Sequence, residues 1–104
     1  MNAIGYIRDS PYLASVVAQE IAIKEFCEKK GLNLLIVFKD MGTYNEDMER
    51  ESWRALEEYV KLCTNDIQFL LFVLPAKITR FNKMIDQIQE HFKQHYGVML
   101  LAVL

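Results

Sequence analysis

Arg8 and Ser10 stand two residues apart, where an apolar run ends in Tyr6-Ile7-Arg8-Asp9-Ser10-Pro11. A serine hydroxyl is a nucleophile, and a guanidinium holds phosphate oxygens in a bidentate fork. Strand alternation puts Tyr6, Arg8 and Ser10 on one side. Proline turns the residue before it away from helical geometry and suits a first helical position, so Ser10 is predicted to cap the next helix. A helix start carries free N–H groups that attract anions, phosphate in particular. Further along, Asp40 follows a second apolar run, Arg50 stands early in the helix expected after the next polar loop, and Lys77, Thr79 and Arg80 follow a third apolar run. One serine and up to four cations can thus gather around an anion. That set permits attack by a serine hydroxyl on a phosphoryl group, with cations stabilising the transition-state charge.

Those residues need a scaffold that brings the ends of several strands together. Ala3 to Ile7 reads as a strand, and Pro11 to Lys30 as a helix stopped by Gly31. Leu13, Val16, Val17, Ile21, Ile23 and Cys27 form that helix's expected apolar face, with Ala14, Ala18 and Ala22 elsewhere. Leu34 to Phe38 is continuously apolar, as in a strand covered on both faces, and it runs out at Lys39-Asp40. Met41 to Asp47 is a polar loop, and Met48 to Leu62 a helix with Trp53, Leu56, Val60 and Cys63 toward the sheet. Ile67 to Leu74 is a third strand, stopped by Pro75. Thr79 to Tyr96 is a helix with Phe81, Met84, Ile85, Ile88 and Phe92 on one face and Gly97 as its stop, and Val98 to Leu104 is a last strand.

Strand–helix alternation of this kind predicts a three-layer α/β/α domain around a mainly parallel sheet of four or five strands. Right-handed crossovers place the strands' carboxyl ends along one edge, where open α/β sheets bind ligands.

The totals bound the possibilities. The 104 residues, 52% hydrophobic, suffice for one domain with one core. A net charge of −2, from 12 basic and 14 acidic residues, argues against a protein that coats nucleic acid through bulk positive charge. Cys27 and Cys63 have neither metal-ligand nor redox-motif spacing and are read as buried, reduced thiols in a cytoplasmic protein. There is no signal-peptide pattern at the N-terminus and no apolar stretch of membrane-spanning length. The four glycines make no phosphate-binding loop. His91 and His95 are four apart, a spacing that suits a metal, but they lack an evident third ligand and read as a solvated face. No histidine is placed to activate Ser10, which disfavours a hydrolase triad.

The ordered series resembles the catalytic domain of the serine recombinases, the resolvase and invertase family. Tyr6, Arg8 and Ser10 match its opening Tyr-x-Arg-x-Ser, and Gln19 its first-helix glutamine. Asp40 and Gly42 match its Asp-x-Gly loop, and Arg50, with Trp53 and Leu56, its arginine ahead of a Leu-rich helix. Ala76-Lys77-Ile78-Thr79-Arg80 stands where the family has Asp-Arg-Leu-Ser-Arg, and Gly97-Val98 matches its closing Gly-Val. The resemblance covers nearly the whole chain.

It implies that Ser10 attacks a DNA phosphodiester to form a phosphoserine link, that Arg8, Arg50, Arg80 and Lys77 hold the scissile phosphate, and that Tyr6, Gln19, Asp40 and Thr79 support them. It implies no metal or nucleotide cofactor, DNA as partner, a homodimer or tetramer, no membrane, and a cytoplasmic or nucleoid location of prokaryotic, phage or transposon origin. It also implies that residues 1–104 are a catalytic domain without the family's dimerisation helix and DNA-binding domain. The departures are Lys77 for an arginine, Ala76 for an aspartate, and Tyr44-Asn45 for Ser-Gly. They sustain the alternative of a catalytically degenerate interaction or regulatory module. A third reading is an unrelated flavodoxin-like or receiver-like anion binder. It ranks lowest, because Asp9 stands alone where receivers need an acidic cluster.

Overall fold

The computed structural model describes residues 1–9, 14–40, 51–63, 65–73 and 81–103, with residues 81–85 through their backbone only. The elements alternate as predicted: β1 Asn2–Arg8, α1 Val16–Lys30, β2 Asn33–Asp40, α2 Glu51–Leu62, β3 Phe69–Val73, α3 Phe81–Tyr96 and β4 Met99–Val103. The described strands form one sheet in the order β2-β1-β3-β4, with every pairing parallel. All their carboxyl ends therefore share one edge.

Alternation along β1 divides the core. Ala3 and Ile7 pack with Ile23 and Cys27 of α1 on one face, together with Leu71 and Val103. Ile4 and Tyr6 pack on the other face with Trp53, Leu56 and Val60 of α2 and Phe92 of α3. This is the three-layer arrangement. Gly5 lets α1 sit close: a Cβ there would stand 3.3 Å from both Ile23 Cγ2 and Val37 Cγ2. Gly31 ends α1 in the left-handed conformation at φ 68°, as its sequence position predicts. From α3, Gln89 accepts from Leu100 N–H at 2.9 Å and so fastens β4 to that helix.

Two expectations need correction. Helix α1 begins at Val16, and its cap is Ser15, whose Oγ accepts from Ala18 N–H at 3.1 Å, rather than Ser10. Its inward face is also rotated from the one predicted. Gln19, Ile23 and Cys27 are buried, whereas Val17 and Ile21 are 68% and 50% exposed. Apolar and small residues occur all round this helix, so periodicity does not choose its face; the buried hydrogen bonds of Gln19 accompany the choice actually made. Strand β2 lies at the edge of the described sheet, and its faces send Phe38 to one core cluster and Leu34 and Val37 to the other, as expected of a strand covered on both faces. Leu35 is extra in its register with β1, between Ala3↔Leu34 and Ile4↔Ile36, and both Leu35 and Ile36 are partly exposed.

The cysteines are free, with Cys27 buried and Cys63 only half-buried. No helix among the described residues is long and apolar enough to cross a membrane.

Candidate active site at the carboxyl edge of the sheet

The central strand β1 ends in Arg8, and its neighbour β2 ends in Asp40; the two are register partners. Arg8 and Asp40 are buried, 8% and 5% exposed, in a place where charged groups persist only when engaged. Alternation puts Arg8 on the same face as Ile4 and Tyr6, the side covered by α2 and α3.

Both carboxylate oxygens of Asp40 are engaged. One carboxylate oxygen, Oδ2, accepts from the Tyr6 hydroxyl at 2.5 Å, and the other, Oδ1, accepts from Ser52 N–H at 3.0 Å. The Asp40 carbonyl accepts from Asp9 N–H at 2.9 Å, continuing the β1–β2 ladder one step past Arg8. Ser52 lies in the first turn of α2, where backbone N–H groups have no partner within the helix. A carboxylate there also meets the positive end of the helix dipole. Asp40 thus caps α2 from the neighbouring strand. Ser52 also donates through Oγ to the Lys39 carbonyl at 2.6 Å. The next residue, Trp53, sets its ring edge-to-face on Tyr6 at 5.0 Å and 75°, and packs on Phe92 at 5.7 Å.

Gln19 works on the opposite face. It is 1% exposed, and its amide nitrogen donates to the Arg8 carbonyl at 2.9 Å and to the Ala14 carbonyl at 2.7 Å. Both amide hydrogens are therefore engaged by backbone. Gln19 supports the end of β1 and offers no N–H to a ligand. Tyr6 and Asp40 are likewise tied to each other and to α2.

Two clamps result. Gln19 joins Arg8 to Ala14, the two sides of the short segment that contains Ser10. Asp40 and Lys39 are joined to Ser52, the two sides of the segment 41–50 that contains Arg50. Ser10, Arg50, Lys77, Thr79 and Arg80 lie outside the described residues, as do Gly42, Tyr44, Asn45 and Ala76. Sequence reasoning missed Ser52, because half of its role is played by a backbone N–H that any residue but proline would supply. Its one legible signal is the serine at the start of a helix after a polar loop.

Three solved structures share this architecture. The C-terminal catalytic domain of ISC1926 TnpA, an IS607-like serine recombinase, is 21% identical over 98% of this chain and 69% of that one, with a TM-score of 0.75. The N-terminal catalytic domain of TP901-1 integrase is 14% identical over 98% of this chain and 76% of its own, with a TM-score of 0.78. A resolvase family site-specific recombinase from Streptococcus pneumoniae is 20% identical over 96% and 71%, with a TM-score of 0.62. The chain has the serine recombinase catalytic-domain fold. No protein-family model matches the sequence, and no curated protein is similar to it.

The histidine pair lies elsewhere, in the last turns of α3. His91 and His95 are exposed, and His91 Nε2 is 3.1 Å from Glu57 Oε2 on α2. Tyr96 donates its hydroxyl to the same oxygen at 2.9 Å. Burial acts to raise the Glu57 pKa, but the His91 and Tyr96 hydrogen bonds outweigh it and hold the carboxyl below its ordinary value. Burial, and then the Glu57 carboxylate, push the Tyr96 hydroxyl up to about 12. Among the described residues no three His, Cys, Asp or Glu side chains are placed to hold a metal ion.

Proposed function

We propose that the chain is the catalytic domain of a site-specific DNA recombinase. Ser10 attacks the phosphorus of a DNA phosphodiester, a phosphoserine bond forms, and one deoxyribose hydroxyl leaves. After partners exchange strands, a free hydroxyl attacks the phosphoserine and releases the serine. Arg8, Arg50, Arg80 and Lys77 hold the phosphate and offset its transition-state charge. Tyr6, Gln19, Asp40 and Thr79 support them. Strand exchange needs at least two such sites, so the working form is a dimer or tetramer on DNA, in the cytoplasm. Further parts for dimerisation and site recognition belong to this reading.

The observation that supports it most is buried Arg8 beside the engaged Asp40 at the strand ends of a serine recombinase fold. The test is to incubate the protein with a pool of random-sequence duplexes, denature, and map any protein–DNA adduct by mass spectrometry. The expected result is an adduct at Ser10 that disappears in Ser10→Ala. An adduct that persists in Ser10→Ala overturns the assignment of the nucleophile, and no adduct from either protein favours the alternative.

That alternative is a resolvase-like interaction module without catalysis, favoured by Lys77 and Ala76 where the family has arginine and aspartate. Lysine is a point charge and does not replace a bidentate fork. Losing one transition-state hydrogen bond costs roughly a hundredfold in rate. Lys77→Arg separates the two readings: cleavage that rises roughly a hundredfold indicates an intact site, and no gain indicates decay.

A further inference from the structure

We infer that Ser52 is a positioning residue of the site: it locks the first turn of α2 to the end of β2, and so sets the distance of that turn from Arg8. This rests on the reading of the strand ends as a phosphate site.

Ser52 makes two bonds to two successive residues of another element. Its N–H meets Asp40 Oδ1 at 3.0 Å, and its Oγ meets the Lys39 carbonyl at 2.6 Å. Two bonds from one residue fix both the height and the rotation of a helix start. Asp40 is itself held by Tyr6 at 2.5 Å, and Tyr6 by the Trp53 ring at 5.0 Å. The path Tyr6–Asp40–Ser52–Trp53–Tyr6 is closed, so β1, β2 and α2 cannot shift separately at this edge. A displaced first turn therefore changes its distance from Arg8, and about 1 Å of misplacement costs on the order of a hundredfold in oriented chemistry. Ser52 acts through Asp40 and the helix start and needs no contact with phosphate.

The test uses inorganic phosphate and the whole chain, following the Arg8 side-chain Nε–H resonance during titration, beside a thermal unfolding curve for every variant. Ser52→Pro removes the N–H donor, and proline suits a first helical turn. The expected result is a folded protein that binds phosphate at least tenfold more weakly, with Ser52→Thr restoring affinity and Leu62→Ala, exposed at the far end of α2, unchanged. Asp40→Asn breaks the same path from the other side, because a primary amide presents only one acceptor where two are used. It decides the matter if Ser52→Pro fails to fold, and it is expected to weaken phosphate tenfold or more. A folded Ser52→Pro or Asp40→Asn that binds phosphate within twofold of the wild type overturns the role of Ser52 alone. No saturable phosphate binding by the wild-type chain overturns the phosphate site itself, and this inference with it.

Discussion

Gln19 donates its amide hydrogens to the Arg8 carbonyl at 2.9 Å and to the Ala14 carbonyl at 2.7 Å, so one buried side chain closes the short segment between β1 and α1. The segment holds Ser10. A glutamine in the middle of an apolar helix face is costly unless both of its donors are used, and here they are.

Gln19→Leu keeps the volume and strands the two carbonyls. An unsatisfied buried acceptor costs about 1–3 kcal/mol. The variant is expected to lose stability of that order by urea denaturation. Any Ser10 adduct should fall further than the stability loss explains, because Arg8 and Ala14 are no longer tied.

Tyr6→Phe removes the hydroxyl from Asp40 and keeps the ring against Trp53. A hydrogen bond to a charged group is worth about 1.5–3 kcal/mol. A loss in that range by urea denaturation is expected. In the double variant Tyr6→Phe with Asp40→Asn the two losses should not add, because the bond has already been removed. Simple additivity would deny their coupling.

The face of α1 is open to direct test. Ile23→Ala empties a wholly buried site and should cost about 2–5 kcal/mol. Val17→Ser and Ile21→Ser change exposed positions and should stay within about 0.5 kcal/mol. If Ile21→Ser were as costly as Ile23→Ala, the predicted face would be correct and the observed one wrong.

The Glu57 cluster predicts two pH limbs. A carboxyl held below its ordinary value stabilises the fold above the unfolded pKa, near the reference 4.5, and loses that contribution as pH falls through the folded value. Tyr96 is raised to about 12 from 10, so the folded chain retains its proton longer and stability falls as pH climbs across that window. Glu57→Gln should flatten the acid limb, and Tyr96→Phe the alkaline one, in unfolding curves measured from pH 3 to 12. His91→Gln should shrink the acid limb only.

The sequence by itself determined the element order, the parallel α/β class and the meeting of Tyr6, Arg8 and Asp40 at one edge. Each follows from local signals: continuous apolar runs for strands, Trp53, Leu56 and Val60 at helical spacing, and Gly31 and Gly97 as stops. Strand alternation alone put Tyr6 and Arg8 on one side. Only the tertiary structure decided which face of α1 is buried, because Val17 and Ile21 are as apolar as Ile23 and local periodicity cannot rank them. It moved the α1 cap from Ser10 to Ser15, since two serine hydroxyls were available and helix geometry selects the one that reaches a free N–H. It made β2 an edge, because apolarity reports an affinity for burial and not the number of neighbours. It also brought Asp40 to Ser52, 12 residues away in the chain, through a backbone N–H that carries no side-chain signature.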